Sequence, residues 1–221
     1  SQVTTEAAPV AESGTPATGD TRGKGQQYHG SSSKITSLNS DSYASLNYYG
    51  QGFYTTDALD MAKGYTKKGR GGAPTIYKIN KKKDLKLFDL ETPLSDIAPN
   101  IKRRLGRVDD LIDDLINSGD YTNLREVYDE YRDESSGAGI SADEVQGVFD
   151  SIQFQLEKLG YDGLRHIGGL RTKNKAHNVE IIFNPKENIS LVEEGATPTT
   201  DDIPTTPMQS TTPEPMTEGG P

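Results

Sequence analysis

Between about residues 95 and 160, apolar side chains recur every three or four positions, and strand-like sequence flanks this segment on both sides. The recurrence begins with Ile97 and Ile101, and it resumes after the pair Ser141 and Glu144. Spacing of this kind gives a helix one apolar face, and a serine followed three residues later by a glutamate forms a capping box. Because strands lie at both ends and helices in the middle, we expect an α+β fold.

The flanking segments carry strand signals of different strength. Residues 26–30 and 75–79 have the composition of short strands, and residues 179–183 are the strongest strand signal in the chain. Between the first two strands, Thr56 is expected to cap a short helix that runs to Tyr65. No internal repeat appears.

The two ends of the chain differ from the rest in composition. Residues 1–25 are mainly small residues, threonine and proline with scattered charges, and residues 192–221 contain eight threonines and six prolines. Such segments bury too little apolar surface to offset the roughly 1–2 kcal/mol per residue that ordering a backbone costs. We therefore expect disordered tails at 1–25 and 192–221. A single domain is expected at 26–191, with the helical segment of about 95–160 as an insertion in it.

Composition excludes several classes of protein and site. The chain has no cysteine and three histidines, so neither a disulfide framework, a thiolate nucleophile nor a cysteine- or histidine-rich metal site is expected. The acidic run from Asp109 to Asp114 fits no calcium loop and is expected to be a solvated helix face. No run of about 18 apolar residues exists, so no membrane span is expected. The formal net charge of −9 argues against general affinity for nucleic acid.

A few residues in the strand-like segments have side chains that carry chemistry. His29 stands beside Gly30 at the end of an expected strand, where a structural histidine is the commoner occurrence. Tyr54 and Tyr65 would ordinarily be core aromatics. Glu180 is a carboxylate inside an otherwise apolar strand, so it needs a partner, a function or an edge position that faces water. Taken alone, these residues are compatible with structural roles as well as functional ones.

Three blocks of the sequence, taken in order, resemble the ADP-ribosyltransferase family, on the side that includes the poly(ADP-ribose) polymerases and diphtheria toxin. The first is Tyr-His-Gly-Ser at 28–31, which is similar to the family's first-strand motif. The second is the Gly-x-Gly-Phe-Tyr block and the helix after it, at 50–65, and the third combines 160–163 with the closing strand at 180–189. The resemblance is strongest to the compact phage and mobile-element members.

The resemblance implies a split β-sandwich around a cleft that binds NAD⁺ as a substrate, without a metal. His29 would hold the adenosine-side ribose, the Gly30 backbone would bind the nicotinamide carboxamide, and Ser31 belongs to the same binding motif. Tyr65 would stack on the nicotinamide ring. Tyr54 and His29 would be the tyrosine and the histidine of the family's His-Tyr-Glu triad.

The third member of that triad has two possible positions in this sequence. Counted back from Phe183, the family glutamate falls on Val179, whereas counted back from Ile189 it falls on Glu180. Glu180 is expected to be the catalytic carboxylate, but a slip of one residue would point its side chain to the opposite face of the sheet. Ala62 is a second difference, since the polymerase relatives place a serine there that helps to hold nicotinamide.

The reaction that the resemblance implies needs few protein groups. The nicotinamide of NAD⁺ is already cationic and leaves as a neutral amide, so no general acid is required. A fixed carboxylate near the ribose stabilises the oxocarbenium charge that develops there. The resemblance therefore predicts a mono-ADP-ribosyltransferase that moves ADP-ribose from NAD⁺ to an unidentified protein acceptor.

Two alternatives accompany this prediction. One is an NAD⁺ glycohydrolase, which uses water as the acceptor. The other is a catalytically inactive ADP-ribosyltransferase-fold module with a structural role in a larger virion assembly or complex. The likeness to phage members favours an effector that is secreted, or carried by a phage particle into a host cytoplasm. A Glu180 side chain that points away from the cleft would favour the inactive module.

Overall fold

Seven strands form one mixed sheet, accompanied by six α-helices in the described part of the chain, so the fold is α+β as expected. The computed structural model describes residues 25–38, 48–67, 73–169 and 175–194. The predicted tails lie outside these residues, apart from their innermost positions. The strands are β1 (Gln27–Ser31), β2 (Phe53–Thr56), β3 (Thr75–Lys81), β4 (Leu87–Asp89), β5 (Gly163–Gly168), β6 (His177–Ile182) and β7 (Ile189–Glu193). The helices are α1 (Leu59–Thr66), α2 (Pro99–Gly106), α3 (Asp110–Ser118), α4 (Leu124–Gly137), α5 (Ala142–Lys158) and α6 (Pro185–Asn188).

The sheet consists of two parts that meet at a short junction. Its strand order is β4-β5-β6-β2-β1-β3-β7, and all neighbours are antiparallel except β4 and β5. Strand β1 pairs with β2 only at Tyr28 and Thr56, whereas it pairs with β3 along its whole length. One half of the sheet is therefore β4-β5-β6-β2, the other is β1-β3-β7, and β1 and β2 diverge between them.

Two apolar clusters lie on opposite faces of the sheet, and β6 contributes to both. Ile181 packs in the larger cluster, which includes the apolar faces of helices α2 to α5. Ile182 packs in the smaller cluster, with Phe53 and Tyr77. Both isoleucines are completely buried. Because successive side chains of a strand point to opposite faces, the burial of these two neighbours fixes the register of β6.

Helices α2 to α5 form the insertion between β4 and β5, where the apolar spacing predicts helices. The predicted capping box is confirmed, since the Ser141 hydroxyl accepts from the Glu144 amide and the Glu144 carboxylate accepts from the Ser141 amide. The predicted helix cap at Thr56 is wrong. Thr56 ends β2, and α1 begins at Leu59, because Thr56 is needed to pair with β6; its hydroxyl accepts from the Ala58 amide at 3.1 Å.

Strand β1 and helix α1 touch through their backbones. A Cβ atom on Gly30 would lie 1.8 Å from the carbonyl oxygen of Ala62 in α1. Ala62 is completely buried. Only glycine permits so close an approach. The contact brings α1, which carries Tyr65, against the strand that carries His29.

Replacing Gly30 with alanine is expected to lower the free energy of unfolding by about 3 kcal/mol, because the added methyl group has to displace backbone atoms. Gly147 is the matched control, since it lies in α5 and an added Cβ there has no atom within 4 Å. Gly147→Ala is expected to be neutral or to stabilise by about 0.5–1 kcal/mol. Urea denaturation measures both variants, and a Gly30→Ala protein as stable as the wild type would contradict this packing.

Candidate functional site

A cavity of about 590 Å³ opens where β1 and β2 diverge. Strands β1, β2 and β6 and helix α1 all contribute to its wall. Its lining includes His29, Gly30, Ser31, Tyr54 and Tyr65. The structure therefore brings together all but one of the residues that the sequence predicts for a site.

His29 is held in one orientation by strand β2. Its Nδ1 lies 2.7 Å from the carbonyl oxygen of Tyr54, and its ring centroid lies 4.4 Å from that of Phe53. A carbonyl oxygen only accepts hydrogen bonds, so Nδ1 carries the proton and Nε2 is the acceptor of the neutral ring. Burial lowers the pKa of His29 from its usual 6.5, opposed in part by the bond to Tyr54. The cavity therefore contains a neutral imidazole at neutral pH.

The hydroxyl of Tyr54 is used to hold the neighbouring turn. It donates to the Gly50 carbonyl at 2.9 Å and accepts from the Tyr49 amide at 3.1 Å. Gly50 has a φ of 100°, which a residue with a side chain rarely adopts. Burial raises the pKa of Tyr54 well above its usual range, so the phenol stays protonated. Its contribution to a ligand is therefore its position in the cavity wall and the shape of its ring.

Tyr65 and Ser31 lie at the edges of the cavity. Tyr65, near the end of α1, is 48% exposed although it lines the cavity, so a planar ligand could cover its ring. The Ser31 hydroxyl accepts from the Ser33 amide at 3.2 Å, which shapes the turn that leaves β1. The helix thus supplies an accessible aromatic face, and the strand supplies a polar rim.

Neighbouring residues of β6 face opposite sides of the sheet at this point. Val179 pairs with Thr56 of β2 and lines the cavity, as does His177 two residues earlier. Glu180 pairs with Thr55, lies on the face where Ile182 packs, and is not among the residues that line the cavity. Of the two positions that the sequence leaves open for the family glutamate, the one in the cavity is therefore occupied by valine.

Glu180 lies in a buried ion pair with a lysine of the other half of the sheet. Its Oε1 lies 2.8 Å from the Nζ of Lys81 in β3, its side chain is 1% exposed, and its Oε2 has no hydrogen-bond partner. Burial raises the pKa of Glu180, while Lys81 and then Arg165 act in the opposite direction. The expectation that this carboxylate faces the cleft is not met, because the burial of Ile181 and Ile182 sets the alternation of β6.

His166 and His177 also lie near the cavity, although neither belongs to a motif that predicts the site. His177 shares the cavity face of β6 with Val179, a placement that follows from period-two alternation once the cavity face is known. His166 of β5 stands directly opposite Val179, is 9% exposed, and has a buried Nδ1 without a hydrogen-bond partner. Its ring lies 4.5 Å from that of Tyr49, and burial lowers its pKa to about 4.

The lining suits binding better than proton transfer. Among the described residues that line the cavity, none is aspartate, glutamate, lysine or arginine. Within the described residues, no group of three or more histidine, aspartate or glutamate side chains is arranged to hold a metal ion. Aromatic rings, hydroxyls and the imidazoles of His29 and His177 are instead suited to a planar, hydroxyl-bearing ligand. In the same part of the chain, no helix combines the length and apolarity needed to cross a membrane.

Comparison with known proteins identifies no relative of this chain. No family model, no curated protein and no solved structure matches the chain. The site has to be interpreted from its own residues.

Removing either partner of the Glu180–Lys81 ion pair is expected to lower stability by a different amount. Lys81→Met is expected to lower the free energy of unfolding by about 3 kcal/mol or more, because it leaves the Glu180 carboxylate buried and uncompensated. Glu180→Gln is expected to cost less, about 1 kcal/mol, since the side chain of Lys81 is 26% exposed and can be solvated. Urea denaturation at pH 7 compares the two variants, and equal losses would contradict the buried position of Glu180.

His166 makes stability depend on pH. Its folded-state pKa of about 4 lies below the usual 6.5, so between these values the unfolded chain binds more protons and stability falls as the pH falls. Over this interval the wild type should lose about 3 kcal/mol more than His166→Gln, which cannot titrate. Denaturation curves at several pH values measure the difference. Glu180 is present in both proteins, so its contribution to the pH dependence cancels in the comparison. Parallel stability profiles would contradict the burial of His166.

Proposed function

We propose that this protein is an ADP-ribosyltransferase-like module that binds NAD⁺ in the cavity but lacks the carboxylate that transfer requires there. The observation that carries the proposal is the position of Val179. It lines the same cavity as His29, Tyr54 and Tyr65, while Glu180 forms an ion pair with Lys81 and is not among the lining residues. This is the inactive module, one of the alternatives given by the sequence resemblance.

The arrangement of the sequence blocks supports the ligand. The His-Gly block on β1, the Gly-x-Gly-Phe-Tyr block leading into β2, and the closing strand β6 are distant in the chain but meet at one cavity. The division of the sheet at the junction of β1 and β2 is also what a split β-sandwich requires. The Nε2 acceptor of His29 suits a ribose hydroxyl, and the exposed ring of Tyr65 suits a nicotinamide.

The absence of a carboxylate from the described lining explains why transfer is not expected. Cleavage of the bond between nicotinamide and ribose builds positive charge on the ribose, and an anionic oxygen nearby stabilises that charge. The isopropyl group of Val179 offers no such stabilisation. The ligand is then bound and oriented without a low barrier to its cleavage.

Transfer to a protein acceptor, or hydrolysis by water, is the second candidate, favoured by the carboxylate one residue away from the cavity face. For Glu180 to reach the cavity, β6 would have to shift its alternation. Ile181 and Ile182, both completely buried, would then exchange faces. That exchange disrupts both apolar clusters, which is why the binding module is preferred. The role in a phage particle rests on the sequence resemblance alone.

The proposal predicts that activity can be installed by one substitution. Wild-type protein should bind NAD⁺ in a calorimetric titration and release nicotinamide only at the background rate. Val179→Glu should raise nicotinamide release by on the order of a hundredfold, because it places a carboxylate in the cavity opposite the unpartnered Nδ1 of His166. Val179→Gln is the matched control, with the same shape and no charge, and it should stay at background.

Glu180→Gln separates the two candidate functions. If the binding module is right, this variant binds NAD⁺ as the wild type does, because Glu180 does not line the cavity. If the wild type releases nicotinamide well above background and Glu180→Gln does not, the transferase or glycohydrolase is right and the proposal is wrong. A wild-type protein that shows no heat of NAD⁺ binding at millimolar concentration would also overturn it.

A further inference from the structure

The cavity has a charge composition that does not match a dinucleotide completely. NAD⁺ carries two phosphates, yet the described lining contains neither lysine nor arginine. Only two described lining side chains, His29 and His177, are of a type that can carry a positive charge. If a cation of the described lining binds the phosphates, it is therefore one of these two histidines.

His29 is poorly suited to this role. Its Nδ1 is committed to the Tyr54 carbonyl, its ring packs on Phe53, and burial disfavours its protonated form. A neutral ring with an acceptor at Nε2 would repel a phosphate oxygen rather than bind it. The cationic role therefore falls to the other histidine.

His177 has the position and the freedom that His29 lacks. It lies at the first residue of β6, partly exposed, and roughly 7 Å along the same face from Val179. Its Nδ1 lies 3.0 Å from the Lys175 carbonyl oxygen, so Nδ1 carries a proton and Nε2 is the nitrogen left for a ligand. Nε2 lies over Gly168, where a Cβ atom would come within 2.6 Å of it, so the glycine makes room for the ring.

We propose that the His177 imidazolium binds a phosphate of the nucleotide in the cavity and so selects phosphorylated ligands over nucleosides. This inference rests on the proposed function, since it assigns the recognition of the phosphate in the same cavity. A protonated imidazole donates from Nε2 to a phosphate oxygen while Nδ1 stays bonded to the backbone. The residue thus acts in specificity, and it takes no part in bond cleavage.

The charged and titratable groups around His177 are few. On its own segment there is Lys175, whose carbonyl it contacts. His166 in the adjacent strand β5 interacts with it electrostatically, but burial keeps His166 neutral above about pH 4. Asp57, at the end of β2, is bonded to the backbone and side chain of Asn178. Among the described histidines of this wall, His177 is therefore the one whose imidazole is open to a ligand phosphate.

Three ligands that differ only in their phosphates test the inference. Calorimetry would compare NAD⁺, nicotinamide mononucleotide and nicotinamide riboside on wild type and His177→Gln. The substitution should weaken the two phosphorylated ligands by roughly ten- to a hundredfold, the size of one charge-assisted hydrogen bond, and leave the riboside unchanged. His177→Lys should restore much of the loss, because it returns a cation to the same place.

The comparison of the three ligands separates phosphate recognition from a structural role of His177. A structural role would weaken all three ligands alike, whereas a phosphate contact spares the riboside. Equal weakening of all three ligands by His177→Gln, or no weakening of any, overturns the inference while leaving NAD⁺ binding intact. Failure of the wild type to bind any of them overturns the proposed function as well.

Discussion

The alternation of side chains along β6 decides which of its residues line the cavity. Ile181 and Ile182 are adjacent, both are completely buried, and they belong to apolar clusters on opposite faces of the sheet. Neither can change face without emptying a packed position, so the residues before them are fixed too. Val179 consequently lines the cavity and Glu180 does not. The chemistry of the cleft is thus set by hydrophobic packing two residues away from it.

The site combines a fixed part with an accessible part. His29 and Tyr54 are immobilised by hydrogen bonds to backbone groups of the neighbouring strand and turn, which orients them before any ligand arrives. Tyr65 and His177 are partly exposed and border the same space from a helix and from the start of a strand. A preformed wall with exposed groups at its rim suits selective binding, because little order has to be gained when the ligand enters.

The sequence predicted the α+β class and the helical insertion, because these depend on local periodicity. Five of its six candidate site residues line one cavity, because short motifs single them out. The sequence placed the helix cap at Thr56 wrongly, since a hydroxyl residue at a strand end looks the same as a cap until the strand's partner is known. Glu180 was harder still. Its face depends on which of two buried neighbours packs against the insertion, and that is a long-range property. His166 and His177 lie outside any motif, and only the pairing of β5 with β6 relates them to Val179.

The ion pair of Lys81 and Glu180 has a consequence for the shape of the molecule. Lys81 belongs to the half of the sheet formed by β1, β3 and β7, and Glu180 belongs to the other half. The two halves share a single registered residue pair at their junction, and the ion pair is a further link between them. Moving the half-sheets apart would separate a buried carboxylate from its cation, which is costly. The ion pair therefore limits how far the gap between β1 and β2 can widen.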